Sequence, residues 1–168
     1  MRHIKFLAIL LLLSSCVEVE FKHPMPQKGT TLEKLPEDIK AYLISLDENS
    51  TKNSKLTVSE FNEDFDMNKP LPDDVILKKW KGNYYLNQKE DSLWQLIVIK
   101  PAKNKTFNIT HIDGSNQEII DKLKSITEVE EIFDADGDLD RIILDPSAKE
   151  FKKMLKSSVF VKVDLFED

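Results

Sequence analysis

The sequence predicts an α+β fold, with a mainly antiparallel sheet of about seven or eight strands and two helices in the C-terminal half of the chain. Two observations lead to this prediction. Apolar residues alternate with polar ones in much of residues 75–112, as expected for a meander of adjacent antiparallel strands. Farther along, an Asp-Gly turn at residues 136 and 137 separates two apolar segments, and helical spacing of apolar residues occurs on both sides of this hairpin. Consecutive hairpins with separate helices favour α+β over a parallel, doubly wound sheet.

The N-terminus has the organisation of a bacterial lipoprotein signal. Arg2 and Lys5 precede an apolar run at residues 6–13 that is too short to span a bilayer, and two small serines follow it. Cys16 comes next, where the thiol of a lipoprotein accepts diacylglycerol and the processed N-terminus accepts an acyl chain such as palmitate. We therefore predict a signal peptide over residues 1–15 and a membrane anchor on Cys16.

The composition limits the classes of partner. Without its 15-residue signal the chain of 168 residues keeps 153, enough for one domain with its own core. The signal takes two of the 24 basic residues and none of the 30 acidic ones, so the formal net charge changes from −6 to −8. Nucleic acid is not an expected partner, because binding it requires basic residues that neutralise phosphates. Membrane attachment is expected through the lipid, and the single cysteine leaves no disulfide and no thiol nucleophile.

The segment after the signal has the composition of a linker. Residues 17–34 contain Pro24 and Pro26 and few apolar residues. We therefore predict that residues 16–34 are the lipidated cysteine and a flexible tether, and that residues 35–168 form a single globular domain.

The start of that domain has an ambiguous pattern. Apolar residues at 35–46 have helical spacing, but some of them also alternate, so we predict a short helical turn followed by a strand. A polar loop is expected at residues 47–55, and a second strand at residues 56–61.

The meander has the clearest pattern. Trp80, Tyr84 and Leu86 all have even numbers, as expected for apolar residues that alternate along a strand. Residues 93–99 are apolar on both faces. Together these patterns predict a hairpin that leads into a central strand. A further strand is expected at residues 107–112, after a turn with proline and asparagine.

Two helices and another hairpin complete the predicted fold. Ser115 stands three residues before Glu118, the arrangement of a capping box, so a helix is predicted there. Asp145, followed by Pro146, is predicted to cap a second helix. The hairpin with the Asp-Gly turn lies between these helices, and alternation at residues 159–165 predicts a final strand.

These features resemble those of small lipoproteins of the Bacteroidota to which no activity is assigned. The resemblance rests on the lipoprotein signal, on residues 80–87 leading into Leu93 and Trp94, and on residues 145–155. It covers most of the mature chain, and its motifs are structural. The resemblance therefore implies a location in the bacterial cell envelope and assigns no catalytic activity.

Two short segments favour the outer membrane within the envelope. The acidic residues that follow Cys16 look like the tethers of surface-exported lipoproteins in that group. The Asp-Ser-Leu sequence at residues 91–93 resembles its O-glycosylation sequence.

Four aspartates at alternate positions form the sharpest chemical pattern, Asp134, Asp136, Asp138 and Asp140. Their carboxylates could bind calcium, which prefers oxygen ligands. Gly137 does not stand where the EF-hand loop needs its glycine, so the spacing departs from that motif. A hairpin turn with solvated acidic residues is the favoured interpretation, and calcium binding is the alternative.

The other candidate sites are weaker. Trp80 and Tyr84 could form an exposed aromatic patch, although packing within a sheet explains such residues more often. His111 and Asp113 could form an acid–base pair on one face of a strand. The sequence contains no Gly-x-Ser-x-Gly turn and no phosphate-binding loop, so it gives an enzyme no support and does not exclude one.

We therefore expect a lipid-anchored envelope protein whose role is binding or assembly, with another envelope protein as a candidate partner. The alternatives are an immunity or inhibitor lipoprotein that neutralises a toxin through its acidic surface, and an envelope hydrolase. A binding module should present an accessible aromatic or apolar surface, whereas an enzyme should have a pocket where acidic residues or His111 converge.

Overall fold

The computed structural model describes residues 17–50 and 68–163, and over these ranges it has the predicted α+β class. A nine-stranded sheet, mixed but mostly antiparallel, is accompanied by three helices, two of them in the C-terminal half. The predicted signal peptide, the lipidation site Cys16 and the predicted strand at residues 56–61 lie outside the described residues, as does the end of the strand predicted at 159–165.

The sheet contains more strands than the seven or eight expected. The strands are β1 Glu18–Phe21, β2 Thr30–Leu32, β3 Val75–Trp80, β4 Asn83–Glu90, β5 Leu93–Pro101, β6 Phe107–Ile112, β7 Val129–Phe133, β8 Leu139–Leu144 and β9 Phe160–Lys162. The helices are α1 Glu37–Ser50, α2 Gln117–Lys124 and α3 Ala148–Met154, and a 3₁₀ turn covers Lys103–Lys105.

The predicted meander is confirmed as the antiparallel series β3 to β6. The strand β5 is the longest, and one of its edges pairs with β4 along most of its length. Its other edge is divided, because Trp94 and Gln95 pair with β1 whereas Val98 to Pro101 pair with β6. The sheet order is therefore β2-β3-β4-β5-β1-β8-β7, with β6 and β9 branching from β5.

The prediction of a flexible tether after Cys16 is wrong for residues 17–32. The strand β1 lies inside the sheet, antiparallel to β5 and parallel to β8, and the side chain of Phe21 is only 1% exposed. The strand β2 pairs with β3 at an edge. Valines and Phe21 alternate with two glutamates here, which is the pattern of a strand. The pattern is short, however, and the two prolines that follow it favour the prediction of a linker. The parallel partner β8 is far away in sequence, so no local signal indicates it.

The segment predicted as a helical turn, a strand and the start of a loop is one helix, α1. Its residue Ile39 is buried together with Leu35, just before the helix, against Leu77 of β3. The helical spacing of these apolar residues therefore determines the structure, and the alternation within the same segment has no structural counterpart.

The helices cover both faces of the sheet. The face that includes Phe21 and Tyr85 packs against α2 and α3, through Ile119, Leu123 and Phe151. The opposite face packs against α1. Among the described helices, none is both long enough and apolar enough to cross a membrane.

Both C-terminal helices exist as predicted, but each begins at a different cap. The side chain of Asn116, rather than Ser115, accepts hydrogen bonds from the first turn of α2. The cap of α3 is Ser147 rather than Asp145, and its capping box is completed by Glu150. Glutamate at the third helical position favours this later start, because its carboxylate accepts from the Ser147 N–H at 2.8 Å.

The start of β1 is packed too tightly to accept a side chain at Gly114. A Cβ atom there would lie 2.5 Å from the Val17 carbonyl oxygen and 2.9 Å from Cγ2 of Val19. We expect Gly114→Ala to lower the free energy of unfolding by about 2 kcal/mol, measured by urea denaturation, because backbone must shift to admit the methyl group.

The matched control for this prediction is Gly82→Ala, at the turn between β3 and β4. A Cβ atom at Gly82 meets nothing within 4 Å, so only its positive φ of 79° is strained, at about 1 kcal/mol. Equal losses from the two variants would contradict the close packing of the β1 start.

Candidate functional site

The predicted aromatic patch of Trp80 and Tyr84 does not form, because the two side chains lie on opposite faces of the sheet. Trp80 pairs with Asn83, and Tyr84 pairs with Lys79, across a two-residue turn. Across such a turn each even-numbered residue faces an odd-numbered one, and the paired residues lie on the same face of the sheet. Trp80 and Tyr84 both have even numbers, so their side chains lie on different faces. Tyr84 is 3% exposed, and its hydroxyl donates to the Asp38 carboxylate at 3.0 Å.

Trp80 is half-buried and lines a pocket of about 310 Å³. Three parts of the chain form it: the loop between β1 and β2, the end of β3, and α3. Half of the lining side chains are apolar and the others are polar or basic. They are Pro26, Trp80, Ala148 and Phe151, and Gln27, Lys28, Lys149 and Lys152.

The loop that forms one wall of the pocket is held by side chains from neighbouring strands. The Asn87 amide accepts from the Met25 N–H at 2.6 Å and donates to the Met25 carbonyl at 2.8 Å. The Lys78 ammonium donates to the carbonyls of Pro24 and Pro26, at 3.2 and 2.8 Å. Burial lowers the pKa of Lys78. These contacts fix the wall without any contribution from a ligand.

The opposite wall is joined to the loop directly. The Gln27 side-chain amide donates to the Pro146 carbonyl, just before α3, at 3.4 Å. Phe151 points into the core, where its ring lies 6.0 Å from that of Tyr85. Lys149 and Lys152 are exposed on the same helix. The inward packing of Phe151 therefore leaves two lysines at the pocket mouth.

The charge of the pocket is positive. Lys28, Lys149 and Lys152 are exposed, and none of them forms a salt bridge within the described part of the chain. The Lys81 ammonium lies 5.0 Å from the centre of the Trp80 ring. No carboxylate lines the pocket, and the nearby Glu150 carboxylate is bonded to the Ser147 N–H.

Tyr85 lies in the core beside Trp80 and does not line the pocket. Its ring packs against Trp80, at 6.2 Å between ring centres, and against Phe151. Its hydroxyl is buried, and burial raises the pKa of Tyr85 more than a hydrogen bond with the Asn83 side chain lowers it.

No local pattern in the sequence indicates this pocket. The pattern around Trp80 predicts an exposed patch instead, and the lysines come from segments more than 100 residues apart, at 28 and at 149–152. The only local signal is the lysine-rich helix α3, which is also typical of a solvated helix face.

Three of the four aspartates, Asp134, Asp136 and Asp138, occupy the turn between β7 and β8. The Asp134 carboxylate accepts from the backbone N–H groups of Asp136 and Asp138, both at 2.9 Å. It therefore stabilises its own hairpin, as the favoured interpretation requires. Asp140 lies in β8, where its carboxylate contacts Arg141 at 3.4 Å.

Three glutamates are brought together elsewhere, on the face of the sheet opposite Phe21. Carboxylate oxygens of Glu18, Glu20 and Glu90 lie within 4.8 Å of one another. No other group of three or more possible metal-ligating side chains occurs in residues 17–50 and 68–163. Arg141 contacts Glu20 at 3.4 Å, and the Gln95 amide donates to Glu90 at 2.8 Å, so protein groups already compensate part of this charge.

His111 lies on β6, where burial lowers its pKa more than the carboxylate of Asp113 raises it. Asp113 accepts from the N–H and hydroxyl of Ser115. Neither His111 nor Asp113 lines the pocket beside Trp80. The predicted acid–base pair therefore has no part in that pocket.

Comparison of the chain with protein-family models, with curated proteins and with solved structures finds no match. The role of the pocket must therefore be inferred from its own residues.

The buried Glu20 carboxylate makes stability depend on pH. Burial raises the pKa of Glu20, more than Arg141 lowers it, and Glu18 and Glu90 raise it further. Because the pKa is higher in the folded than in the unfolded chain, its contribution to stability is present below pH 4.5 and is lost as the pH rises through the folded value. We expect Glu20→Gln to raise the free energy of unfolding at pH 7.5 by about 1 kcal/mol, measured by urea denaturation.

The gain from Glu20→Gln should disappear below pH 4.5, where the wild-type carboxyl is protonated. Glu130→Gln is the matched control, because Glu130 is half exposed and pairs with Lys22 at 3.2 Å. This control should change stability by less than about 0.5 kcal/mol. A loss of stability in Glu20→Gln at pH 7.5 would show that the ionised carboxylate is stabilising.

Proposed function

We propose that this chain is a lipid-anchored binding module of the bacterial cell envelope. Diacylglycerol and an acyl chain on Cys16 would hold it to the membrane, in the outer membrane by preference, and the pocket beside Trp80 would be its binding site. The observation that carries the binding function is the residue set of that pocket, in which lysines and an aromatic ring converge.

This residue set favours binding over catalysis. Lysine ammonium groups attract anions, and the half-buried Trp80 ring offers apolar surface to a ligand. The pocket has no histidine, carboxylate or hydroxyl side chain in its lining, so it offers no imidazole or carboxylate base and no oxygen nucleophile. The hydrolase alternative would need groups of that kind.

The anchor proposal rests on the lipoprotein signal, and the fold adds a geometric consequence. Val17 is only 8% exposed, and β1 begins at Glu18. Adjacent Cα atoms are about 3.8 Å apart, so a lipid on Cys16 would hold the folded domain directly at the bilayer surface. Partners of the module would then have to be available close to the membrane.

Cys16→Ser tests the anchor in the full-length protein expressed in its bacterial host. The wild type should sediment with membranes and take up a palmitate label. It should also resist extraction with about 1 M salt, which screens electrostatic attachment to the membrane. The variant should lose the label and the membrane association, because no lipid can be attached.

Ser15→Ala is the matched control, since alanine keeps a small residue before the cleavage point and the thiol remains. It should behave as the wild type. A wild-type protein that takes up no label, or a Cys16→Ser variant that stays in the membrane fraction, would contradict the proposed anchor.

A further inference from the structure

We propose that the pocket beside Trp80 binds an anionic saccharide, a single sugar ring that carries a carboxylate or a phosphate. This inference rests on the proposed binding function and names its ligand class. It does not depend on the lipid, because every residue that it uses lies in the folded domain.

The anionic part of the ligand follows from three exposed lysines that form no salt bridge with a described residue, although Lys149 also attracts the adjacent Glu150 carboxylate. Lys28, Lys149 and Lys152 approach one pocket from two directions, the β1–β2 loop and α3, and Lys81 is next to Trp80. The chain as a whole has a formal net charge of −6, so a pocket with three lysines and no carboxylate is a local reversal of its charge. One anionic group there would interact favourably with several ammonium groups at once.

The ring part of the ligand follows from the apolar lining and the volume. Trp80 and Ala148 are partly exposed and present apolar surface, with the buried Pro26 and Phe151 beneath them, and the C–H face of a sugar ring packs well on such a surface. The volume of about 310 Å³ lies near the lower limit of ligand pockets, so it suits one ring rather than a polymer segment.

The polar atoms at the pocket suit a hydroxylated ring better than a purely apolar one. The Gln27 amide lies in the lining and is exposed, and its nitrogen already donates to the Pro146 carbonyl. A sugar hydroxyl can donate to the oxygen of this amide.

The pocket is also formed before any ligand arrives. Asn87 and Lys78 hold Met25 and Pro26, and Gln27 is bonded to Pro146. Binding therefore does not require the loop to become ordered, which would reduce affinity. The exposed lysine side chains are the groups that must lose freedom.

The test is a calorimetric titration of the full-length, lipidated protein in non-ionic detergent. The probes are glucuronic acid, glucose 6-phosphate, glucose and inorganic phosphate. We expect at least one of the two charged sugars to bind at least tenfold more tightly than both glucose and inorganic phosphate. Its affinity should also fall as salt is added, because the lysines are exposed.

Two charge-matched triple variants locate the binding site. K28Q/K149Q/K152Q should weaken binding of the charged sugar at least tenfold. K34Q/K103Q/K156Q removes three exposed lysines that do not line the pocket, and it should change the affinity less than twofold. Both variants change exposed side chains, so both should retain the wild-type circular dichroism spectrum and urea midpoint.

Each other outcome overturns a stated part of the proposal. Inorganic phosphate that binds as tightly as the sugars removes the role of the ring, and glucose that binds equally well removes the role of the anion. No binding of any probe, or equal loss in both triple variants, rejects the ligand class at this pocket. A wild-type protein that does not sediment with membranes, or a Cys16→Ser variant that still does, would instead reject the anchor and leave this result unchanged.

Discussion

The sheet depends on the burial of β1 between β5 and β8. This strand has only four residues, yet it is the one element that pairs with both the meander and the β7–β8 hairpin in the described sheet. Phe21, at its end, lies beneath α3, with its ring 6.5 Å from that of Phe151. Full burial of such a side chain stabilises a fold by roughly 1.5–3 kcal/mol. Without β1 the two parts of the sheet would lose their shared edge.

The same stretch of chain connects the proposed anchor to the proposed binding site. It leaves Cys16, forms β1, and then forms the pocket wall at Pro26 to Lys28. Because β1 is part of the sheet, the wall is fixed relative to α3 and to Trp80, whose lysines and ring complete the pocket. A lipid on Cys16 would therefore position the pocket near the bilayer through folded structure. A flexible linker would not constrain it in this way.

Local sequence signals predict the parts of this fold that form from neighbouring residues. The meander, the Asp-Gly hairpin and the helices α2 and α3 each have a periodicity or turn of their own, and all are present. The caps of these helices lie one or two residues after the predicted positions, because several polar side chains near each start can accept from the helix N–H groups. The strand β1 has no comparable local signal, because its stability comes from partners distant in sequence. The pocket has none for the same reason, since Lys28 and Lys152 meet only in the folded chain.

Hydrogen exchange of the full-length, lipidated protein in detergent tests the central position of β1 most directly. If β1 is an interior strand, its backbone amides should exchange as slowly as those at the centre of β5, because both open only when the sheet unfolds. The exposed Ala135 amide provides a fast reference within the same chain, because the other four amides of the turn at residues 134–138 are hydrogen-bonded. Exchange of the Glu18–Phe21 amides at the rate of the Ala135 amide would show that the segment is a tether and would contradict the account.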